Sequence, residues 1–236
     1  MGIINLWRIN LEDVVVFIDY QNVYKLARTA FFSDGDANFK GQINPILLGS
    51  HLISRNALAR QTLGLPDQNL KQVRIYTGVP SPIHDQSGNE RTRRQLSAWS
   101  QLDSRIEIVQ RELRYPRGWP TPEVAGSLPR EKGVDIALAV DFVTMAYKGE
   151  FDMGILFSAD TDFKPVLEYV WPSAIRAKPE VAAWRGSNSQ QIRNGSYNQR
   201  LSLDSFGKLP FCHWLTIDDY NAVKDHTNYR TRTIRT

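Results

Sequence analysis

Three aspartates sit where carboxylates can do metal-ion chemistry. VVVFIDYQN places Asp19 at the end of an apolar run, with Asn22 in the turn that follows. EKGVDIALAVDF places Lys132 and Asp135 at the head of an amphipathic stretch. GILFSADTDF ends a second apolar run at Ser158, and Asp160 and Asp162 follow in the next turn. Three carboxylates converging on one crevice repel one another, and a divalent cation offsets that repulsion. Hard oxygen donors suit Mg2+ or Mn2+. Such an ion activates a water and stabilises charge on a phosphoryl group during in-line displacement, and nearby helix N-termini favour a bound phosphate. Each residue also has a plainer use. Asp19 and Asp162 stand where N-caps stand, Asp135 can favour its own helix dipole, and Lys132 can be an exposed charge. What favours the site is the joint occurrence of the three segments, in this order.

For these acids to meet, the elements that carry them must share one end of a sheet. Short apolar runs alternate with amphipathic stretches, which predicts an α/β fold with a central, mostly parallel sheet flanked by helices. Val14–Ile18 reads as a strand buried on both faces. Further strands are expected at Val73–Tyr76, Ile106–Leu113, Met153–Phe157 and Val181–Trp184. Helices are expected at residues 22–30, Arg55–Leu63, Glu90–Leu102, Val134–Tyr147 and Asp162–Val170, where Pro165 is tolerable in the first turn. Ile136, Val140, Val143 and Tyr147 recur at helical spacing. Asp141 lies roughly 120° around that helix from Asp135, in a solvated or supporting position. Residues 31–50 and 115–131 read as loops, the second rich in Pro and Gly, and long loops in compact domains are often functional. In open parallel sheets the carboxyl ends of the strands line the ligand crevice. Asp19 and Asp160 lie there, and Asp135 can project into it from a helix start.

Composition bounds the rest. The chain has 236 residues, 42% hydrophobic and 23% charged, enough for one generous α/β domain. A single cysteine, Cys212, excludes an intrachain disulfide and a thiolate zinc site, and the four histidines are scattered. The N-terminus lacks the pattern of a secretory signal and no run has the length of a membrane span, so a cytoplasmic protein with no membrane partner is expected. The net charge is +4, most of it in residues 221–236, where Lys224, Arg230, Arg232 and Arg235 face only Asp225. Basicity alone is therefore a weak argument for nucleic-acid binding.

Taken together, FIDYQN, KGVDIALAVD and ILFSADTDF resemble the NYN family, a PIN-like group that includes the LabA-like bacterial proteins. The resemblance runs from about residue 13 to about residue 186. It implies a PIN-like three-layer sandwich over residues 1–186, with residues 187–236 as a C-terminal extension packing on that core and ending in a basic tail. It also implies a metal-dependent ribonuclease site. By position, Asp19, Asp135 and Asp160 match the family's metal-binding acids, Asn22 its asparagine after the first strand, and Asp162 the second acid of its S-x-D-x-D-F motif. Tyr20 stands where a small residue is usual, a departure that narrows the site or supplies a stacking surface.

The expected function is hydrolysis of RNA phosphodiester bonds by an endonucleolytic cut, with Mg2+ or Mn2+ held by Asp19, Asp135 and Asp160. Asn22 and Asp162 would position the metal water or a second ion. Lys132 would neutralise the scissile phosphate, with Tyr20, Ser158, Arg91 and Arg94 as further substrate contacts. Arg91, Arg93 and Arg94 also read as a solvated helix face balanced by Asp85 and Glu90. Arg111, Arg114 and Arg117, interleaved with Tyr115 and Trp119, suit a single strand held by charge and base stacking; equally, Trp119 can anchor its loop on the core. The alternative function is a non-catalytic RNA-binding or regulatory scaffold. A haloacid-dehalogenase-like phosphatase fails at the first motif, where Gln21 replaces the required second acid. Besides RNA, a second copy of the chain is a candidate partner: the apolar segment FCHWLTIDDYNAV suits packing on a neighbour or on the chain's own core.

Overall fold

A computed structural model describes residues 11–119, 129–171, 176–185 and 212–230. The order is β1 (Leu11–Asp19), α1 (Tyr20–Phe31), α2 (Pro45–Thr62), β2 (Asp67–Val79), α3 (Gln86–Ser100), β3 (Ile106–Glu112), α4 (Val134–Lys148), β4 (Met153–Phe157), α5 (Lys164–Val170), β5 (Lys178–Trp184), β6 (Cys212–Leu215) and α6 (Ile217–Val223). A 3-10 turn, Thr161–Phe163, leads into α5, where Pro165 occupies the first turn and removes no helical hydrogen bond.

All strand pairs are parallel, in the order β3-β2-β1-β4-β5-β6. The chain builds outward from β1 to β3, returns through α4 to lay β4 on the other side of β1, then builds outward again. The direction of winding therefore reverses between β1 and β4, the switch point at which open parallel sheets leave a crevice beyond their carboxyl ends.

The alternation along β1 shows how the layers form. Val14, Val16 and Ile18 face one cluster with Val23 and Ala27 of α1, Leu48 and Leu52 of α2, Leu96 and Trp99 of α3, and Tyr220 and Val223 of α6. Val15 and Phe17 face the other, with Leu138 and Phe142 of α4 and Leu167 of α5. Successive side chains of a strand point to opposite faces, so a strand covered on both must be apolar throughout. Val14 to Ile18 are all fully buried, and each such side chain contributes roughly 1.5–3 kcal/mol. The result is helix, sheet, helix: the α/β sandwich expected of the sequence.

Several elements differ from expectation. Part of the expected loop 31–50 is the start of α2, which opens at Pro45 and is three turns longer than the Arg55–Leu63 stretch at its end. Strand β2 begins at Asp67 rather than Val73: its first half, Asp67 to Gln72, is polar apart from the buried Leu70 and so lacks an apolar signal, yet it still pairs with β1. In α4 the recurrence of Ile136, Val140 and Tyr147 lies on the outer side, where these residues are 69%, 57% and 58% exposed. The buried stripe is Val134, Leu138, Phe142, Met145 and Ala146. Asp141 is neither free nor part of the acidic crevice: Arg74 and the Tyr76 hydroxyl each donate to it at 2.8 Å.

Within the expected extension, the described residues 212–230 add to the core. β6 joins β5 in the sheet, and Tyr220 and Val223 of α6 enter the main cluster. Of the two uses expected of this apolar segment, Leu215, Tyr220 and Val223 take the packing on the chain's own core. The basic tail 231–236 lies outside the described residues. No helix among the described residues is long and apolar enough to cross a membrane.

Candidate active site

Asp19 ends β1 and Ser158 follows β4, and the two strands are neighbours with Ile18 opposite Phe157. The next pair upward is therefore Asp19 and Ser158. The Ser158 hydroxyl donates to Asp19 Oδ2 at 2.9 Å and accepts from the Asp160 amide at 3.1 Å. Asn22 ties the same two turns together: its amide N–H donates to Asp19 Oδ1 at 3.4 Å, and its side-chain oxygen accepts from Ala159 N at 3.0 Å. Asp160 accepts from Asp162 N at 2.9 Å, capping the 3-10 turn. The motif residues after β1 and β4 are thus one hydrogen-bonded unit. Asp19 is at once the N-cap of α1 and a member of the acidic group, so the two uses of that residue do not exclude each other.

Asp135 enters from α4. Gly133 precedes that helix with φ of 78°, a left-handed conformation that side chains other than glycine rarely take. Burial raises the Asp135 carboxyl above its usual range, and the charges of Asp160 and Asp162 add to the rise. Burial also pushes the Asp19 carboxyl up to about 7, with Asp135 and Glu131 adding to the effect and the bonds from Ser158 and Asn22 opposing it. These carboxylates therefore share one electrostatic neighbourhood.

Glu131 is the residue that sequence reasoning missed. Its side chain accepts from Gly78 N at 2.5 Å, and burial, then the charge of Asp135, raises its carboxyl. A Cβ on Gly78 would stand 2.7 Å from Glu131 Cγ, so only glycine allows this approach. The charge of Lys25 on α1 acts in the opposite direction and eases the Glu131 charge. Glu131 lies in an irregular stretch where no periodicity marks it. Its signal is its place four residues before Asp135 in EKGVD.

The remaining expected residues divide. Ser158 is only 1% exposed and lies beneath Asp19, so it positions that carboxylate rather than touching substrate. Tyr20 is 9% exposed, its hydroxyl accepts from Gln95 at 2.7 Å, and its ring packs edge-on to Trp99. It packs in the core beneath the crevice, stacked on Tyr24, and its small exposed part lines the cavity that Arg91 also lines. Arg94 is engaged with the Tyr229 carbonyl at 3.0 Å and with Glu90. Lys132 is exposed beside Glu131. Arg91 lines a cavity of 850 Å3 that opens beside the acids, between Tyr24, Gln95, Gly78 and Arg230.

Among the described residues no three of these groups are gathered tightly enough to clasp an ion as they lie. The donor set nevertheless fits a hard cation. Mg2+ keeps several waters and takes one or two carboxylates from a protein, and the acids here are oxygen donors that raise one another's proton affinity.

The NYN domain family matches residues 13–173, so the chain belongs to the NYN family within the PIN-like superfamily. NYN domains are in general nuclease-like. No curated protein matches the sequence. Among solved structures the chain is similar to a protein of unknown function, VPA0982, from Vibrio parahaemolyticus, at 16% identity and a TM-score of 0.46, covering 88% of this chain and 94% of that one.

Proposed function

We propose that the chain is a metal-dependent ribonuclease that cuts RNA internally, with Asp19, Asp135 and Asp160 holding Mg2+ or Mn2+. One observation carries this reading. Several part-buried acids elsewhere in the fold are compensated by the chain itself: Asp141 by Arg74, Asp219 by Arg55, Glu12 by Arg60 and Asp152 by Arg176. Asp19, Glu131, Asp135, Asp160 and Asp162 have no ion-pair partner among the described residues, although two of them are largely buried. Carboxylates left uncompensated at the switch point of a parallel sheet are suited to a cation taken from solution.

Bound there, the ion would supply an activated water and neutralise charge on the phosphoryl group. The chain's own residues do the rest. Ser158 and Asn22 hold the Asp19 carboxylate in one orientation. Asp135 and Asp162, both exposed, face the solvent side of the crevice. Glu131, held by Gly78 N, closes the side toward β2. Lys132 and Lys25 bring positive charge to the rim, where a phosphate would otherwise meet only acids.

The test is cleavage of a labelled RNA pool by the wild type and by an Asp19→Asn/Asp160→Asn variant, with Mn2+, Mg2+ or EDTA. Products that require metal and vanish in the variant are expected. Intact RNA in every lane, with the wild type folded, would instead assign the chain to the RNA-binding scaffold class.

A further inference from the structure

Beyond the acids, the loops after β2 and β3 gather a second set of groups that neither the fold nor the acidic site needs. The His84 and Tyr115 rings lie 4.6 Å apart between centroids, inclined by 31°, and the Trp119 ring stands 5.8 Å from Tyr115. Tyr115 is fixed by its hydroxyl, which accepts from Ser81 N at 3.2 Å. His84 is exposed, and Tyr115 and Trp119 are half-buried, so the array has an open side. Around it stand Arg111, Arg114, Arg117 and Arg130, all exposed. None of the four has an ion pair among the described residues. The acids whose charge acts on Tyr115 are Asp85, which is occupied in capping α3, and Glu112, which is exposed.

The backbone connects this array to the acidic site. Arg114 and Arg130 form an antiparallel bridge with both hydrogen bonds at 2.9 Å. The residue after Arg130 is Glu131, the acid that faces Asp19 and Asp135.

We propose that His84, Tyr115 and Trp119, with these four arginines, form an anchoring site for an unpaired stretch of nucleic acid, separate from the acids and one residue away along the chain. Its chemistry is that of single-strand recognition. Arginine charge tracks the phosphates, and fixed aromatic faces stack bases, which a duplex keeps hidden in its own stack. An acidic peptide would use the arginines but would leave the rings without a partner.

Binding is measured by fluorescence anisotropy in EDTA with a labelled single-stranded RNA, the matching duplex, and a poly-glutamate competitor. Because no cleavage is needed, the outcome is independent of the ribonuclease reading. Arg114→Glu/Arg117→Glu, two exposed changes that leave the bridge intact, should weaken binding at least about tenfold and flatten the log–log salt dependence by about 1.4, from a slope near 0.7 per phosphate contact. Trp119→Ala should weaken binding by about 5- to 160-fold with an unchanged salt slope. Equal affinity for duplex and single strand, unchanged binding by the folded arginine variant, or displacement by poly-glutamate at equal charge would each overturn the proposal.

Discussion

Asp19 offers a direct test of whether the acidic crevice is held at the expense of stability. Its carboxyl is 4% exposed and burial pushes it up to about 7, from 3.8 in an unfolded chain. A raised carboxyl favours folding while it stays protonated. The metal-free protein should therefore lose stability as the pH rises from about 4 through about 7, with the whole penalty present above that. At about 1.4 kcal/mol per pH unit between the folded and unfolded values, the upper bound is about 4 kcal/mol. Asp19→Asn removes the charge and keeps the shape. The bonds from Ser158 and the Asn22 amide both point at a carboxylate, and an amide can accept only one of them at its oxygen. The realised gain should therefore be about 1–2 kcal/mol, since a lost bond to a charged group offsets about that much. For a chain of this size that is roughly 2–8 °C in melting temperature. The measurement is thermal melting in EDTA at pH 5 and pH 8. The variant should melt higher at pH 8, with the difference shrinking at pH 5, and added Mn2+ should stabilise the wild type more than the variant. A variant less stable at both pH values, or a gain that ignores pH, would refute the idea that the Asp19 charge is uncompensated.

Three further outcomes are expected. Glu131→Gln should keep the fold, because Gly78 N can still donate to the amide oxygen, and should lower metal-dependent RNA cleavage by about 10- to 100-fold, read as a rise in the Mn2+ concentration needed for half-maximal rate. Trp99→Ala empties a fully buried site whose indole N–H donates to Asp225 at 3.1 Å; it should destabilise by about 3–5 kcal/mol in a urea titration. Asp219 is raised by burial, but this is outweighed by bonds from Thr216, His51 and Arg55, which hold it well below the usual range. Its stabilisation is thus present above about pH 4 and lost as the pH falls further. Asp219→Ala should lower the melting temperature at pH 7, with the deficit narrowing in acid.

What was legible in the sequence follows from how strongly local physics constrains each residue. A strand buried on both faces must be apolar throughout, so VVVFI and MGILF declare themselves, and the acids after them are conspicuous because they end such runs. Amphipathic periodicity is weaker where a helix has two apolar sides. Leu138, Phe142 and Met145 recur in α4 as regularly as Ile136, Val140 and Tyr147, and spacing alone cannot say which set faces the sheet. The pairing of Asp141 with Arg74 and Tyr76 depends on β2 lying under α4, a contact between residues far apart in the chain. Glu131 was hidden for a related reason. Its approach to Asp19 is set by Gly78 on another strand, and no local pattern records that.

The residues beyond the family match matter to the site more than their position suggests. Trp99 and Arg94 lie on α3, and each is tied to the C-terminal segment, Trp99 through Asp225 and Arg94 through the Tyr229 carbonyl. Tyr229 itself is buried, with its hydroxyl donating to Asp225 at 2.6 Å. These bonds fix the helix that presents Arg91 to the cavity beside the acids, and Arg230 completes the lining of that cavity. The motif residues alone define an acidic crevice. The shape of the surface leading to it is set jointly by α1, α3 and residues 225–230. Two chains sharing the three acidic motifs can therefore differ in the surface beside them, because part of its lining, Asn228, Tyr229 and Arg230, lies outside the matched segment.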